Sequence, residues 1–147
     1  MTTPVNLEVQ IGALTLKNPV LTASGTFGYG LEFEQFFDIS CLGGFCTKGL
    51  SLKPMAGTAP GRIHETPAGM LNAIGLENVG VEGFIQQKLP RLENCRCHIV
   101  ANILGKSIDE FKTIASRLDP LSRVSALELN ISCPNLKEGG IEFGHDP

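Results

Sequence analysis

The sequence predicts an α/β fold with a parallel sheet, and within that class the N-terminal portion of a (β/α)8 TIM barrel. About four βα units follow a β-hairpin, all in one domain over residues 1–147. Three observations carry this reading. Short apolar runs alternate with segments of helical period, which implies parallel strands joined by right-handed crossovers. The fourth strand puts Leu127, Leu129 and Ile131 on one face and Glu128, Asn130 and Ser132 on the other. A polar row on a strand with buried neighbours is costly unless something binds it. A doubly wound sheet also fits the element order. The barrel is favoured because its inward-facing strand residues can meet a ligand at the mouth. Third, unusual polar residues recur at the strand C-termini, where α/β proteins place their chemistry.

The elements follow in order. Residues 7–10 and 14–17 flank Ile11-Gly12-Ala13 and read as a short hairpin. Residues 18–24 form a first buried strand that ends at Gly25. Residues 31–37 have helical spacing, with Phe33, Phe36 and Phe37 on the apolar side. Residues 44–48 form the second strand. Residues 51–75 are rich in Pro and Gly without a strong period, and a loop of that length is usually functional. Residues 81–92 are helical, with Pro90 marking the end. Residues 98–103 form the third strand. Ser107 and Glu110 make a capping box for a helix whose apolar stripe is Ile108, Phe111, Ala115 and Leu118. Residues 126–132 form the fourth strand.

Composition narrows the class of protein. The chain is 42% hydrophobic and 18% charged, an ordinary globular balance. A net charge of −3 argues against a nucleic-acid surface, which needs clustered Lys and Arg. No apolar run approaches the roughly 18 residues of a membrane span. The first ten residues lack the basic and apolar regions of a secretion signal. Five cysteines (Cys41, Cys46, Cys95, Cys97 and Cys133) are an odd number without a C-x-x-C pair, which fits reduced thiols and a cytoplasmic location. Cys95-x-Cys97 reads as two ordinary thiols at the start of a buried strand, since no second ligand pair has zinc-site spacing. No metal site is expected.

The candidate site residues lie at four strand ends and in the long loop. Lys48 is the charged residue of its strand. It is either a lysine reaching solvent at a strand end or a cation held for an anionic or polarisable ligand. Asn102 and Asn130 are amides at matching positions in adjacent strands. Each alone suits a satisfied core or turn residue; together with Lys48 they suit a planar heterocycle rich in carbonyl and N–H groups. Cys133 lies between Ser132 and Pro134, just past the fourth strand. It is either a small buried residue or a partly ionised base or nucleophile. In Asn72-Ala73-Ile74-Gly75-Leu76 the glycine permits close backbone approach to a ligand, and Asn72 offers both donor and acceptor. His64 and His98 read as structural, and His145 carries no role.

Four of these segments together resemble the class 1 dihydroorotate dehydrogenases. They are Ala23-Ser24-Gly25-Thr26-Phe27-Gly28-Tyr29-Gly30, Thr47-Lys48-Gly49, Asn72-Ala73-Ile74-Gly75-Leu76 and Asn130-Ile131-Ser132-Cys133-Pro134-Asn135. The Gly-Thr-Phe-Gly-Tyr-Gly run is most similar to class 1B, the NAD-linked type. The resemblance covers the whole chain in order. It implies an FMN-containing barrel that oxidises (S)-dihydroorotate to orotate in pyrimidine biosynthesis. Cys133 matches the catalytic base, taking the C5 proton while hydride passes to FMN. By the same resemblance Ser24, Lys48, Gly49, Asn102 and Asn130 bind FMN. Lys48, Asn72, Ala73, Ile74, Gly75, Leu76 and Asn130 contact the substrate. It further implies a homodimer of this chain within a heterotetramer, whose other subunit carries FAD and an iron–sulfur cluster and passes electrons to NAD.

A complete barrel takes about 250 residues, and its phosphate site lies after strands 7 and 8. The chain therefore reads as the N-terminal half of a larger protein, truncated by gene prediction, cloning or an early stop. Alone it is expected to bind FMN poorly and to be inactive. Two alternatives stand beside the main reading. One is a dihydropyrimidine dehydrogenase-like flavoenzyme, disfavoured because Asn135, rather than His, follows Pro134. The other is a non-catalytic fragment.

Overall fold

The computed structural model describes residues 5–131. Strands β1 (Val9–Ile11) and β2 (Leu14–Leu16) form the expected antiparallel hairpin, in register Val9 with Leu16 and Ile11 with Leu14. The main sheet contains β3 (Leu21–Thr22), β4 (Gly44–Cys46), β7 (His98–Ile103) and β8 (Ala126–Leu129). Its spatial order is β3-β4-β7-β8 and every pairing is parallel. Strand order thus follows chain order without reversal. With right-handed crossovers, each connection then lies on the same face of the sheet, which is single winding and not the reversal of a doubly wound sheet.

That face holds the core. Phe45 of β4 and Ile99, Ala101 and Ile103 of β7 are buried against Val81, Phe84, Leu89 and Leu92 from one helical segment and Ile114 and Leu118 from another. Each large side chain so buried contributes about 1.5–3 kcal/mol. The first segment starts as α1 (Gly80–Gly83), widens to a π-helical turn over Phe84–Lys88 and closes as a tight 3-10 turn over Leu89–Leu92. Pro90 sits inside this helical run, not at its end. Its missing N–H and its ring prevent a regular α-helical turn, and the wide turn before it absorbs the misfit. The second segment is α2 (Ile108–Leu118). Ser107 Oγ accepts from the Glu110 N–H at 3.2 Å, the cap expected from sequence, whereas Glu110 Oε2 accepts from the Lys106 N–H at 2.8 Å, one residue before the N–H a capping box would use.

Several elements depart from expectation. Residues 31–37 make only a 3-10 turn, Leu31–Phe33. Seven residues are too few to nucleate a helix without strong packing. The aromatic group turns instead toward Phe27, which stacks on Phe33 at 4.2 Å, and Phe36 is left exposed. Among the described residues the first strand is the edge of the sheet and is not buried: Val20 is 53% and Leu21 40% exposed. In α2, Ile108 is exposed and Ile114 takes its place in the buried stripe. On β8, Leu127 packs on the core, whereas Leu129 and Ile131 are exposed. The long loop contains a second hairpin, β5 (Ile63–Thr66) with β6 (Gly69–Asn72).

Candidate functional site

The face of the sheet opposite the core carries the polar chemistry. By alternation from the buried Phe45 and Ile99, this face presents Cys46, Asn102, Glu128 and Asn130. Register sets Cys46 beside Val100, Val100 beside Ala126 and Asn102 beside Glu128. Asn130 is therefore diagonal to Asn102 and not level with it, as the sequence suggests. Its Nδ2 lies 3.5 Å from Asn102 Oδ1.

The end of β4 is bulged. The Thr47 N–H donates to the Val100 carbonyl at 2.9 Å, and the next bond to β7 comes from the Leu50 N–H to the Asn102 carbonyl, also at 2.9 Å. Three residues on one strand thus span two on its neighbour. Bulges of this kind re-aim side chains beside functional sites. Here the bulge holds Lys48 and Gly49. It lets Leu50 enter the core while Lys48 stays half-buried at the rim. The Lys48 N–H also donates to the Gly28 carbonyl at 2.6 Å, tying the strand to the glycine-rich run after β3. Among the described residues no carboxylate pairs with the Lys48 ammonium. Gly49 has a steric reason: a Cβ there would lie 2.6 Å from Leu104 Cδ2 and 2.9 Å from Asn102 Oδ1.

Ser24, Gly25, Lys48, Gly49, Leu76, Asn102, Leu104 and Asn130 line one cavity of about 190 Å³ at these strand ends. All five residues expected at the cofactor are in that set. Of the five expected at the substrate loop, Leu76 joins it. Ile74 lines an adjoining cavity of about 320 Å³ with Tyr29, Met55, Glu77, Asn78 and Val79, and Lys48 borders both. Asn72 and Ala73 line neither. Asn72 ends β6 opposite Ile63, and the Ala73 N–H donates to the Arg62 carbonyl at 2.8 Å. Gly75 has φ +73°, and a Cβ there would lie 2.7 Å from the Thr58 nitrogen. Its immediate role is to let two loop segments cross. Leu76 is left-handed at φ 59°, an unfavourable state for a branched side chain. Cys133 lies outside the described residues.

Three residues here were not singled out from sequence. Glu128 is half-buried on the polar face. Its Oε1 accepts a short hydrogen bond from Asn102 Nδ2, and its Oε2 accepts from the Cys46 thiol at 3.6 Å. Burial first, and the Glu128 charge second, push the Cys46 thiol up to about 11. Asn78 is buried and bonded at both ends of its amide: its Oδ1 accepts from the Ser51 N–H, the Ser51 hydroxyl and the Gly80 N–H, and its Nδ2 donates to the Leu76 carbonyl at 2.9 Å. It thereby anchors the strained Leu76. Only the polar alternation of β8 signals Glu128 in the sequence; nothing there signals Asn78. His98 is structural, as expected, with Nδ1 2.8 Å from Ser125 Oγ and Nε2 2.9 Å from the Thr15 carbonyl.

A singly wound parallel sheet with helices on one face and a polar mouth at its strand C-termini is the arrangement of a TIM-barrel-type fold. A crystal structure of DHODH in complex with ferulenol from Eimeria tenella superimposes with a TM-score of 0.63 over 90% of this chain and 38% of that one, at 23% identity. The sequence model of the dihydroorotate dehydrogenase family matches residues 6–147. The chain belongs to that family. Among curated relatives, a dihydroorotate dehydrogenase B (NAD(+)) catalytic subunit of Trichlorobacter lovleyi is 59% identical over 141 residues, 96% of this chain and 46% of that protein. The same-named subunit of Citrifermentans bemidjiense is 54% identical over 142 residues, 97% of this chain and 47% of that protein. The chain thus spans about half the length of the relatives it matches. Among the described residues no helix is long and apolar enough to cross a membrane, and no group of three or more His, Cys, Asp or Glu is placed to hold a metal.

Proposed function

We propose that the protein containing this chain is a dihydroorotate dehydrogenase of the NAD-linked type. It oxidises (S)-dihydroorotate to orotate in the cytoplasm, as a step of pyrimidine biosynthesis. The chain forms the first four βα units of the barrel. One observation carries the reading: in a member of this family, Ser24, Lys48, Gly49, Asn102 and Asn130 converge on a single cavity at the strand ends.

The donor set suits FMN and an orotate-like ring. Lys48 supplies a positive charge that no carboxylate among the described residues pairs with, which suits an anionic partner. Asn102 and Asn130 supply amide groups for a ring edge, and Gly49 leaves the room that a larger residue would fill. Bound FMN supplies the two-electron acceptor. Lys48 borders both cavities, so one ammonium serves cofactor and substrate together. Leu76 and Ile74 provide apolar walls. Cys133, the counterpart of the family's base, takes the C5 proton of the substrate. The partner is an FAD and iron–sulfur subunit that passes electrons to NAD, with two copies of each subunit in a heterotetramer.

The test is turnover by the full-length protein, with its partner subunit, on dihydroorotate and on dihydrouracil. Orotate should form, NAD should be reduced, and dihydrouracil should be a poor substrate. Cys133→Ala should lose most turnover and keep its flavin. Preference for dihydrouracil, or full activity in Cys133→Ala, would overturn the assignment.

A further inference from the structure

We propose that Glu128 is a positioning residue: it fixes which end of the Asn102 amide faces the cavity, and so makes that wall a hydrogen-bond acceptor. A carboxylate offers only acceptors, so the amide must turn its NH2 group toward it. Asn102 Nδ2 donates to Glu128 Oε1, and the Cys46 thiol donates to Oε2 at 3.6 Å. Both oxygens of the carboxylate are therefore engaged, and it is held at two points. Among the described residues Glu128 forms no ion pair. Its hydrogen-bond partners among the described residues are these two donors, Asn102 on the adjacent β7 and Cys46 on β4 beyond it.

The orientation propagates. With Nδ2 committed, Asn102 Oδ1 points past Gly49 toward Asn130, whose Nδ2 lies 3.5 Å away. Asn130 then has its own Oδ1 left for the cavity, without a partner among the described residues. The wall built by Asn102 and Asn130 presents carbonyl oxygens, and Lys48, which lines the same cavity, presents N–H donors. A ligand edge that meets the amides must carry N–H groups. Asn102 is only 2% exposed, so a reversed amide would turn its buried carbonyl toward the half-buried carboxylate and leave Glu128 Oε1 without that donor, a costly state. This inference rests on the reading above for the identity of the ligand, but not for the orientation of the amide.

The experiment uses the full-length protein with its partner subunit, stripped of flavin, and follows FMN binding by quenching of flavin fluorescence. Glu128→Leu should weaken FMN binding about tenfold, the worth of one lost hydrogen bond. Glu128→Gln keeps a carbonyl for Asn102 Nδ2 and an amide for the Cys46 sulfur, so it should restore most of the affinity. In an Asn102→Ala background, Glu128→Leu should have no further effect. An undiminished effect of Glu128→Leu in that background, no effect in the parent, or a Gln variant as impaired as Leu would each sink the assignment. The side-chain amide resonances of Asn102 give an FMN-free reading: they should shift in Glu128→Leu, and unmoved resonances refute the proposal. A protein that never binds FMN but whose Asn102 resonances shift would instead refute the functional reading and leave Glu128 in its role.

Discussion

Gly49→Ala tests the tightest contact at the site. A methyl group on Gly49 would sit 2.6 Å from Leu104 Cδ2 and 2.9 Å from Asn102 Oδ1. Carbon atoms pack well at about 3.5–4.0 Å, so Leu104 must yield by roughly 1 Å. Its terminal methyl can rotate aside at modest cost. Asn102 cannot move freely, because its amide is bonded to Glu128 and its backbone lies in the centre of the sheet. Overpacking of this kind costs about 1–3 kcal/mol. Gly49 is not left-handed, so alanine also gains about 0.4–1 kcal/mol from the unfolded chain. The expected net loss of stability is therefore about 0–2.6 kcal/mol, read by urea denaturation. Displacement of the amide should weaken FMN binding about tenfold, the worth of one hydrogen bond to a ligand. Gly69→Ala is the control, since a Cβ there meets nothing within 4 Å. FMN affinity in Gly49→Ala equal to that of Gly69→Ala would refute the claim that Gly49 makes room for Asn102.

Leu76→Gly should separate stability from binding. Glycine relieves the left-handed strain at φ 59°, roughly 1 kcal/mol, and removes the side chain from the cavity wall. Thermal stability should hold while orotate binding weakens; a fall in both would contradict the strain argument. Alkaline pH should destabilise the protein through its buried thiols. Burial holds Cys46 up at about 11, and burial with the neighbouring Cys95 sulfur holds Cys97 up at about 12, above the ordinary thiol value of 9.0. Folded values above unfolded ones mean that this contribution is complete below the unfolded value and is lost as pH rises toward the folded one. Stability should fall between about pH 9 and 11 by an amount on the order of 2 kcal/mol for Cys46, at 1.36 kcal/mol per unit. Cys46→Ala should flatten that slope, and an unchanged slope would exclude Cys46 as its source.

The central strand was legible in the sequence because its environment is uniform. Residues 98–103 are flanked by strands on both sides, so an apolar run maps onto β7 without loss. The start of α2 was legible because capping is local chemistry: Ser107 and Glu110 act on N–H groups within their own turn. The second hairpin was hidden for the opposite reason. Most of its strand residues are exposed on both faces, so no alternation marks it. The available sign was Pro67 and Gly69 at the turn between Ile63-His64-Glu65-Thr66 and Met70-Leu71-Asn72. The convergence of Lys48, Asn102 and Asn130 could be anticipated because parallel strands bring their C-termini to one rim. The link from Cys46 to Glu128 could not, since it depends on register across an intervening strand. Likewise, Asn130 seemed level with Asn102 until the pairing of Asn102 with Glu128 set it one step higher.

Tyr29 gives the chain an optical property. The chain contains one tyrosine and no tryptophan. Its hydroxyl accepts from the Val79 N–H at 3.1 Å, its ring faces Lys88 at 5.3 Å, and it borders the same cavity as Lys48. The near-ultraviolet emission of this segment therefore arises from a single phenol beside that cavity. Burial raises the deprotonation point of that phenol, so its emission should outlast that of free tyrosine as the solution is made alkaline. A yellow chromophore seated at the rim would quench it by energy transfer, which makes Tyr29 a built-in gauge of occupancy that needs no added dye.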